Sequence, residues 1–340
     1  MSSGAMRVGA AGVAVAGVVG LGLLALPGGA GASPVLPPVS PEDLVASVLQ
    51  ADPDAFNGTV ELDNALGLPA VPGVPAAGTS SARVWSDGDD GGRVQIPSSD
   101  GERTLVSDGT TFWAWDSAEQ TVVTGEKGAE SAPDRAAVDP TTAAAEAIHT
   151  LQTSSEVSVD GTSEVAGRAA YELVLTPAPS ERTLLREVRI AVDAEQRVPL
   201  RLTVLAQGSA DPAFEVGFTE LTFGAQDPAL FTFTPPPGAT VEEAPARPEG
   251  AERPEFTGAQ PQVVGEGWDT VVVAAMPEGA GGEQADEARA QIGSFGTPVS
   301  GAWGSGTLIS TAVGSAILTD DGRVAAGAVP EQVLTEALTR

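Results

Sequence analysis

The chain contains no cysteine and only one histidine (His149), one lysine (Lys127) and one tyrosine (Tyr171) among its 340 residues. Without cysteine there can be no disulfide, thiolate nucleophile or cysteine–zinc site. A single imidazole cannot build the common histidine-based metal sites, and His149, near the end of an expected helix, is read as a surface residue whose charge complements the helix dipole. Arginine carries almost all the positive charge, with 17 basic residues against 46 acidic ones and a formal net charge of −29. That balance argues against nucleic acid and against electrostatic docking on anionic lipid. No glycine-rich loop joins a strand to a helix, which argues against nucleotide binding. No acid stands in an apolar run that would raise its pKa, and Asp269, Asp320 and Asp321 form no EF-hand loop. Neither catalysis nor a metal or other cofactor is expected.

Long hydrophobic runs are also missing, with one exception. Residues 8–26 are apolar, Arg7 is the only charge before them, and Ala30-Gly31-Ala32 precedes Ser33. This pattern makes residues 1–32 a secretory signal peptide and places the mature chain outside the cytoplasm, in the envelope or secreted. The run is near the length of a membrane span, so an N-terminal anchor is the alternative. The absence of cysteine excludes a lipobox, and with it a conventional lipoprotein.

What is present is a chain of short alternating runs. Residues 94–125 hold four of them, at 94–96, 103–107, 111–115 and 121–124, separated by Ser99-Asp100-Gly101, Ser107-Asp108-Gly109 and Asp116-Ser117. Glycine accepts positive φ and Asp and Ser bond their own backbone, so these are the turns of an antiparallel meander. Ser40-Pro41-Glu42-Asp43 opens a helix with Ser at the N-cap and Pro at N1, and Pro53 ends it. Asp139-Pro140 opens a second, alanine-rich helix running to about Gln152. From 157 to 233, apolar residues recur at spacing two in six further runs, the last being Phe231/Phe233. Residues 66–81 read as a long loop. Residues 242–262, rich in Pro, Glu and Ala, read as a linker. Residues 263–340 form a smaller unit with strands at 269–275, 307–310, 314–318 and 323–326, a helix at 283–292, and a last helix starting at Pro330. Within that tail, WGSGTLISTAVGSAILTDDGRV is similar to the strand pair before the catalytic histidine of trypsin-like proteases. Asp320-Asp321-Gly322-Arg323 stands where that histidine would be, so the stretch is read as a hairpin.

Several blocks resemble the LolA/RseB superfamily of lipoprotein carriers and envelope regulators. They are the Ser-Asp-Gly turn leading to Trp113 and Trp115, Val165-Ala166-Gly167-Arg168 before Tyr171, Val192-Asp193 followed by Val198-Pro199-Leu200, and residues 231–237 followed by Gly238. The resemblance spans roughly residues 40–241. It implies an α+β fold in which a large curved antiparallel sheet, an unclosed β-barrel, is covered by helices. The expected organisation is a half-barrel domain at 33–241, the linker at 242–262 and a small C-terminal α+β unit at 263–340.

By the same resemblance the protein binds hydrophobic ligands outside the cytoplasm and carries or chaperones lipoprotein acyl chains or lipids. The alternative is an RseB-like regulator that senses envelope lipoproteins and binds a membrane anti-sigma factor; a transporter is a further possible partner. Strand-face alternation nominates Trp113, Trp115, Leu173, Leu175, Ile190, Leu202 and Val204 as the lipid-binding lining. Trp113 and Trp115 share one side of one strand, and that side is expected to face the helices, with Phe112 and Ala114 on the opposite side.

Overall fold

Turn chemistry sets the register of the large sheet. The computed structural model describes residues 34–66, 77–126, 140–244, 262–275 and 296–339. In it the polar turns join β3 (Gly91–Ser98), β4 (Gly101–Asp108), β5 (Thr111–Asp116) and β6 (Thr121–Glu126). At the second turn, the Asp108 carboxylate accepts the N–H groups of Thr111 (2.8 Å) and Thr110 (2.9 Å). These bonds hold its pKa below the usual carboxylate value.

β1 (Phe56–Asn64) and β2 (Gly78–Ser86) precede the meander. β7 (Ser155–Val165), β8 (Arg168–Pro177), β9 (Leu185–Asp193), β10 (Pro199–Ala206), β11 (Pro212–Phe223) and β12 (Thr240–Glu243) follow it. All twelve form one sheet, in the order β12-β6-β5-β4-β3-β2-β1-β11-β10-β9-β8-β7. Only the β12–β6 pair is parallel. The sheet therefore never closes, and β12 and β7 are its two edges. The unclosed antiparallel sheet is the fold class expected from the sequence.

Among the described residues two helices cover one face. α1 (Pro41–Leu49) starts where the Ser40 hydroxyl accepts the Asp43 N–H at 3.1 Å, and it buries Leu44, Val45 and Val48. α2 (Pro140–Leu151) buries Ala144 and Ile148. These side chains pack with Val60, Leu62, Val84, Val94, Leu173, Ile190 and Val216 of the sheet into one core.

The Phe231/Phe233 run is not a strand. Pro228–Phe231 is a 3-10 turn, and residues 232–239 pair with no other strand. Prolines at 228 and 235–237 remove the N–H donors that a ladder needs. The 3-10 turn instead lies against β3 and β4. Arg93 of β3 donates to the Leu230 carbonyl at 3.4 Å, and Phe231 is buried. The chain then arrives beside β6 as the edge strand β12, two residues of which, Glu242 and Glu243, fall in the segment read as linker.

The C-terminal unit is a six-stranded sheet. Its strands are β13 (Gln262–Val264), β14 (Val271–Ala275), β15 (Thr297–Gly301), β16 (Gly304–Ser310), β17 (Ser315–Thr319) and β18 (Arg323–Gly327), in the order β13-β14-β18-β17-β16-β15. α3 (Glu331–Leu338) packs Val333 and Leu334 against Val271, Ile317 and Ala325. The protease-like stretch is the β16–β17 hairpin. The expected signal peptide at 1–32, the start of the second helix at Asp139, the helix at 283–292 and residues 245–261 of the expected linker lie outside the described residues. Contacts join Val35–Arg340 into one unit. Thr183 and Leu184, before β9, donate to the Ala328 carbonyl at 2.6 and 2.9 Å, and Arg182 meets Glu336 at 2.7 Å.

Two of the blocks singled out in the sequence, Val165-Ala166-Gly167-Arg168 and Val192-Asp193, meet at one ion pair. Ala166 and Gly167 adopt φ of +50° and +75° in the two-residue turn between β7 and β8, which delivers Arg168 to Asp193 at the end of β9. The Asp193 side chain is 1% exposed. It also accepts the N–H groups of Glu195 (2.9 Å) and Gln196 (2.7 Å), and so closes the hairpin that leads to Val198-Pro199-Leu200. Burial pushes its carboxyl pKa up, but Arg168 and the two backbone donors together bring it below the usual value. A depressed folded-state pKa contributes stability above the unfolded value, and that contribution is lost as pH falls through the folded one. Asp193→Asn is expected to cost about 2 kcal/mol near neutral pH. In denaturant titrations, the gap between variant and parent should shrink as pH drops below 3.8, the ordinary carboxylate value.

Candidate hydrophobic-ligand cleft

Strand pairing assigns every side chain of the large sheet to a face. Val84, Val94, Leu105, Ala114 and Val123 are successive cross-strand partners and so lie on one face. Val84 and Val94 belong to the core beneath the helices, so this whole row is on the helix-covered side. Trp113 and Trp115 alternate with Phe112 and Ala114, and they pair with Val106 and Thr104.

The two indoles therefore lie on the outer face, and the expectation that they face the helices is corrected. Alternation separates two faces without saying which one a distant helix will cover. The outer face here is covered as well, because the polypeptide after β11 crosses it. Arg93, which bonds Leu230, is the cross-strand partner of Val106. Val106, Val122 and Thr104 are almost fully buried, whereas Trp113 and Trp115 are half-buried above them. Phe112, expected on the outside, is buried against Ala244 and Val123. Its ring fills the space a Cβ would need at Gly125.

The other nominated residues do share the helix-covered face. Leu173, Ile190 and Leu202 form one cross-strand row with Val159, Val216 and Leu62. Leu175 and Val204 stand in the next row, with Val157, Val188 and Phe214. Leu173, Leu175 and Ile190 are 0% exposed. They are packed core, Leu202 is nearly as buried, and Val204 is half-buried.

Space opens where the second row reaches the edge of the sheet. A cleft of about 540 Å³ lies between α1 and the start of β7. Pro41, Val45, Ala46, Leu49 and Val157 supply its apolar walls, and Glu42, Gln50, Gln152 and Ser155 its polar ones. Val157 is the cross-strand partner of Leu175, so the cleft abuts the outer end of the row that continues into the core. Strand alternation missed these residues because most come from a helix. The sequence pattern groups Leu49 with Leu44, Val45 and Val48 on the apolar face of α1, but only the structure shows that Leu49 is left 43% exposed.

Trp268, from the C-terminal unit, is anchored to the cleft wall. Its side chain is 2% exposed and belongs to the core of the large sheet. Its Nε1–H donates to the Ser155 hydroxyl at 2.8 Å, and its backbone N–H donates to Glu181 at 3.0 Å. Gly267, at φ +64°, brings the backbone against Ser154, where a Cβ would collide with the hydroxyl. A second, polar pocket on the outer face gathers Glu61, Asp63, Glu164 and Glu215 with Arg201. Among the described residues no group of three or more His, Cys, Asp or Glu side chains is placed to hold a metal ion, and no helix is long and apolar enough to cross a membrane.

One open, almost wholly antiparallel sheet with two helices on a single face, built around the Arg168–Asp193 turn, now stands beside the sequence blocks that resembled one superfamily. The described architecture is the one that the resemblance implied. No family model and no curated protein matches the chain. Among solved structures it is similar to the MucA/MucB complex of Pseudomonas aeruginosa, at 18% identity over 88% of this chain and 96% of that one, with a TM-score of 0.45. A LolA superfamily protein from Nitrosomonas europaea aligns over 58% of this chain and 99% of its own, at 13% identity and a TM-score of 0.27. A putative outer membrane lipoprotein-sorting protein domain from Vibrio parahaemolyticus aligns over 56% and 95%, at 11% identity and a TM-score of 0.24. With TM-scores below 0.5, these likenesses leave the functional reading to the chain's own geometry.

Trp268→Ala should destabilise the protein by about 3–5 kcal/mol, the usual cost of emptying a buried indole site. Trp268→Phe retains most of the packing and loses the Ser155 bond, so about 1 kcal/mol is expected. Chemical denaturation of both variants measures the two contributions.

Proposed function

We propose that the protein is an extracytoplasmic binding protein that carries or chaperones acyl chains, of lipoproteins or free lipids, at the cleft between α1 and β7, and that it performs no chemistry on them. One observation carries this reading. The cleft is an apolar-walled opening at the unpaired edge of the sheet, contiguous with the buried row that begins at Val157 and Leu175. Its volume of about 540 Å³ lies in the range of small-molecule sites, roughly 300–1,000 Å³. Each methylene buried there is worth ~0.8 kcal/mol, so about ten of them bring the affinity to the micromolar range. The LolA/RseB-like fold and the export signal read in residues 1–32 support the same conclusion. The acidic surface would keep the carrier from lingering on anionic membrane.

The regulatory alternative, an envelope sensor that binds a membrane anti-sigma factor, is favoured by a different observation: Trp268 ties a second β-unit to the cleft wall. A pull-down from envelope membranes separates the two. Assorted lipoproteins indicate carriage, and one single-span anti-sigma protein indicates regulation. A transporter among the captured proteins would point to delivery.

Titration with a fluorescent fatty acid or lipopeptide should give saturable binding, and Ala46→Trp, which fills the cleft from an exposed helix position, should abolish it with the fold intact. A brominated acyl chain should quench Trp268 and spare Trp113 and Trp115, as read with single Trp→Phe variants. Absence of saturable binding, or quenching confined to Trp113 and Trp115, would contradict the assignment.

A further inference from the structure

We propose that the cleft selects acyl chains whose head is an uncharged hydrogen-bonding group, an amide or a hydroxyl, and rejects carboxylate and phosphate heads. This rests on the carrier reading and adds the class of ligand to it.

The argument comes from the polar part of the lining. Among the described residues four polar ones reach the cleft, Glu42, Gln50, Gln152 and Ser155, and no arginine, lysine or histidine does. The Ser155 hydroxyl is already committed, donating to the Leu151 carbonyl at 2.6 Å and accepting from Trp268. The side-chain amides of Gln50 and Gln152 bond to nothing among the described residues. A carboxamide offers a donor and an acceptor together, the pattern that an amide or hydroxyl head returns. Ionised Glu42 accepts only, and it sets a negative charge beside any anion that enters.

Two further features disfavour an anion at the cleft. The N-terminus of α1 has the Ser40 hydroxyl on the Asp43 N–H and two acids, Glu42 and Asp43, in its first turn. The net charge of −29 opposes anions at longer range. Apolar walls, two unengaged carboxamides and one carboxylate make a site for a long chain with a neutral polar end.

The test is competition against a fluorescent alkyl probe by ligands of one chain length: the monoacylglycerol, the N-acylethanolamine, the ionised fatty acid and the lysophosphatidic acid. The two neutral ligands should displace the probe at concentrations about tenfold lower than the two anions. The gap should narrow as salt is raised. Gln50→Lys, at an exposed helix end, should reverse the order without disturbing the core. Equal or better displacement by the anions, or an unchanged order in Gln50→Lys, overturns the head-group assignment and leaves the carrier reading in place. Failure of the probe itself to bind removes both.

Discussion

Among the described residues two short helices cover one face of a twelve-stranded sheet, and much of the described packing follows from that narrow cover. α1 and α2 are enough to bury the centre of one face, where Leu173, Leu175 and Ile190 are fully enclosed. Among the described residues they do not reach its margins. At the β7 edge the cover stops at α1, leaving the cleft beside Val157. Toward the other edge, Leu105 and Ala114 on the same face are only partly buried. An apolar sheet face without enough helix above it must be met by something else, and a hydrophobic ligand is one answer.

The outer face meets the same constraint differently. Its meander half carries Val106 and Val122, which also need cover, and the polypeptide after β11 provides it before joining the sheet as β12. The prolines that prevent this segment from forming a ladder let it cross a sheet without competing for strand pairs. The outer face of β8–β10 needs no such cover, because it is polar: Arg201 pairs with Glu172 and Arg189 with Glu187.

The second sheet also bears on the cleft. Trp268 completes the core under the end of α2, and its indole N–H holds Ser155, a residue of the cleft wall. A ligand that moved Ser155 would therefore act on the seat of the C-terminal unit. On either proposed reading, carriage or sensing, this contact would be the one that responds, and the two readings differ in what the displaced unit would meet next.

The sequence alone determined the local structure. Asp-Gly turns, the Ser40 cap and residues alternating at spacing two encode strand and helix through bonds and sterics that act within a few residues, and the described elements follow them nearly throughout. The motif blocks determined the Arg168–Asp193 turn, and with it the family resemblance, because a buried ion pair needs particular residues at particular places. Tertiary structure decided which face of each strand is inside. Trp113 and Phe112 are equally good candidates for a core by periodicity, and only cross-strand pairing with Val106 or with Gly125, strand by strand back to Val84 and Val94, tells them apart. It also decided the site. A cleft is the space left between a helix and an edge strand that are remote in sequence, and no local pattern in either one specifies the distance between them.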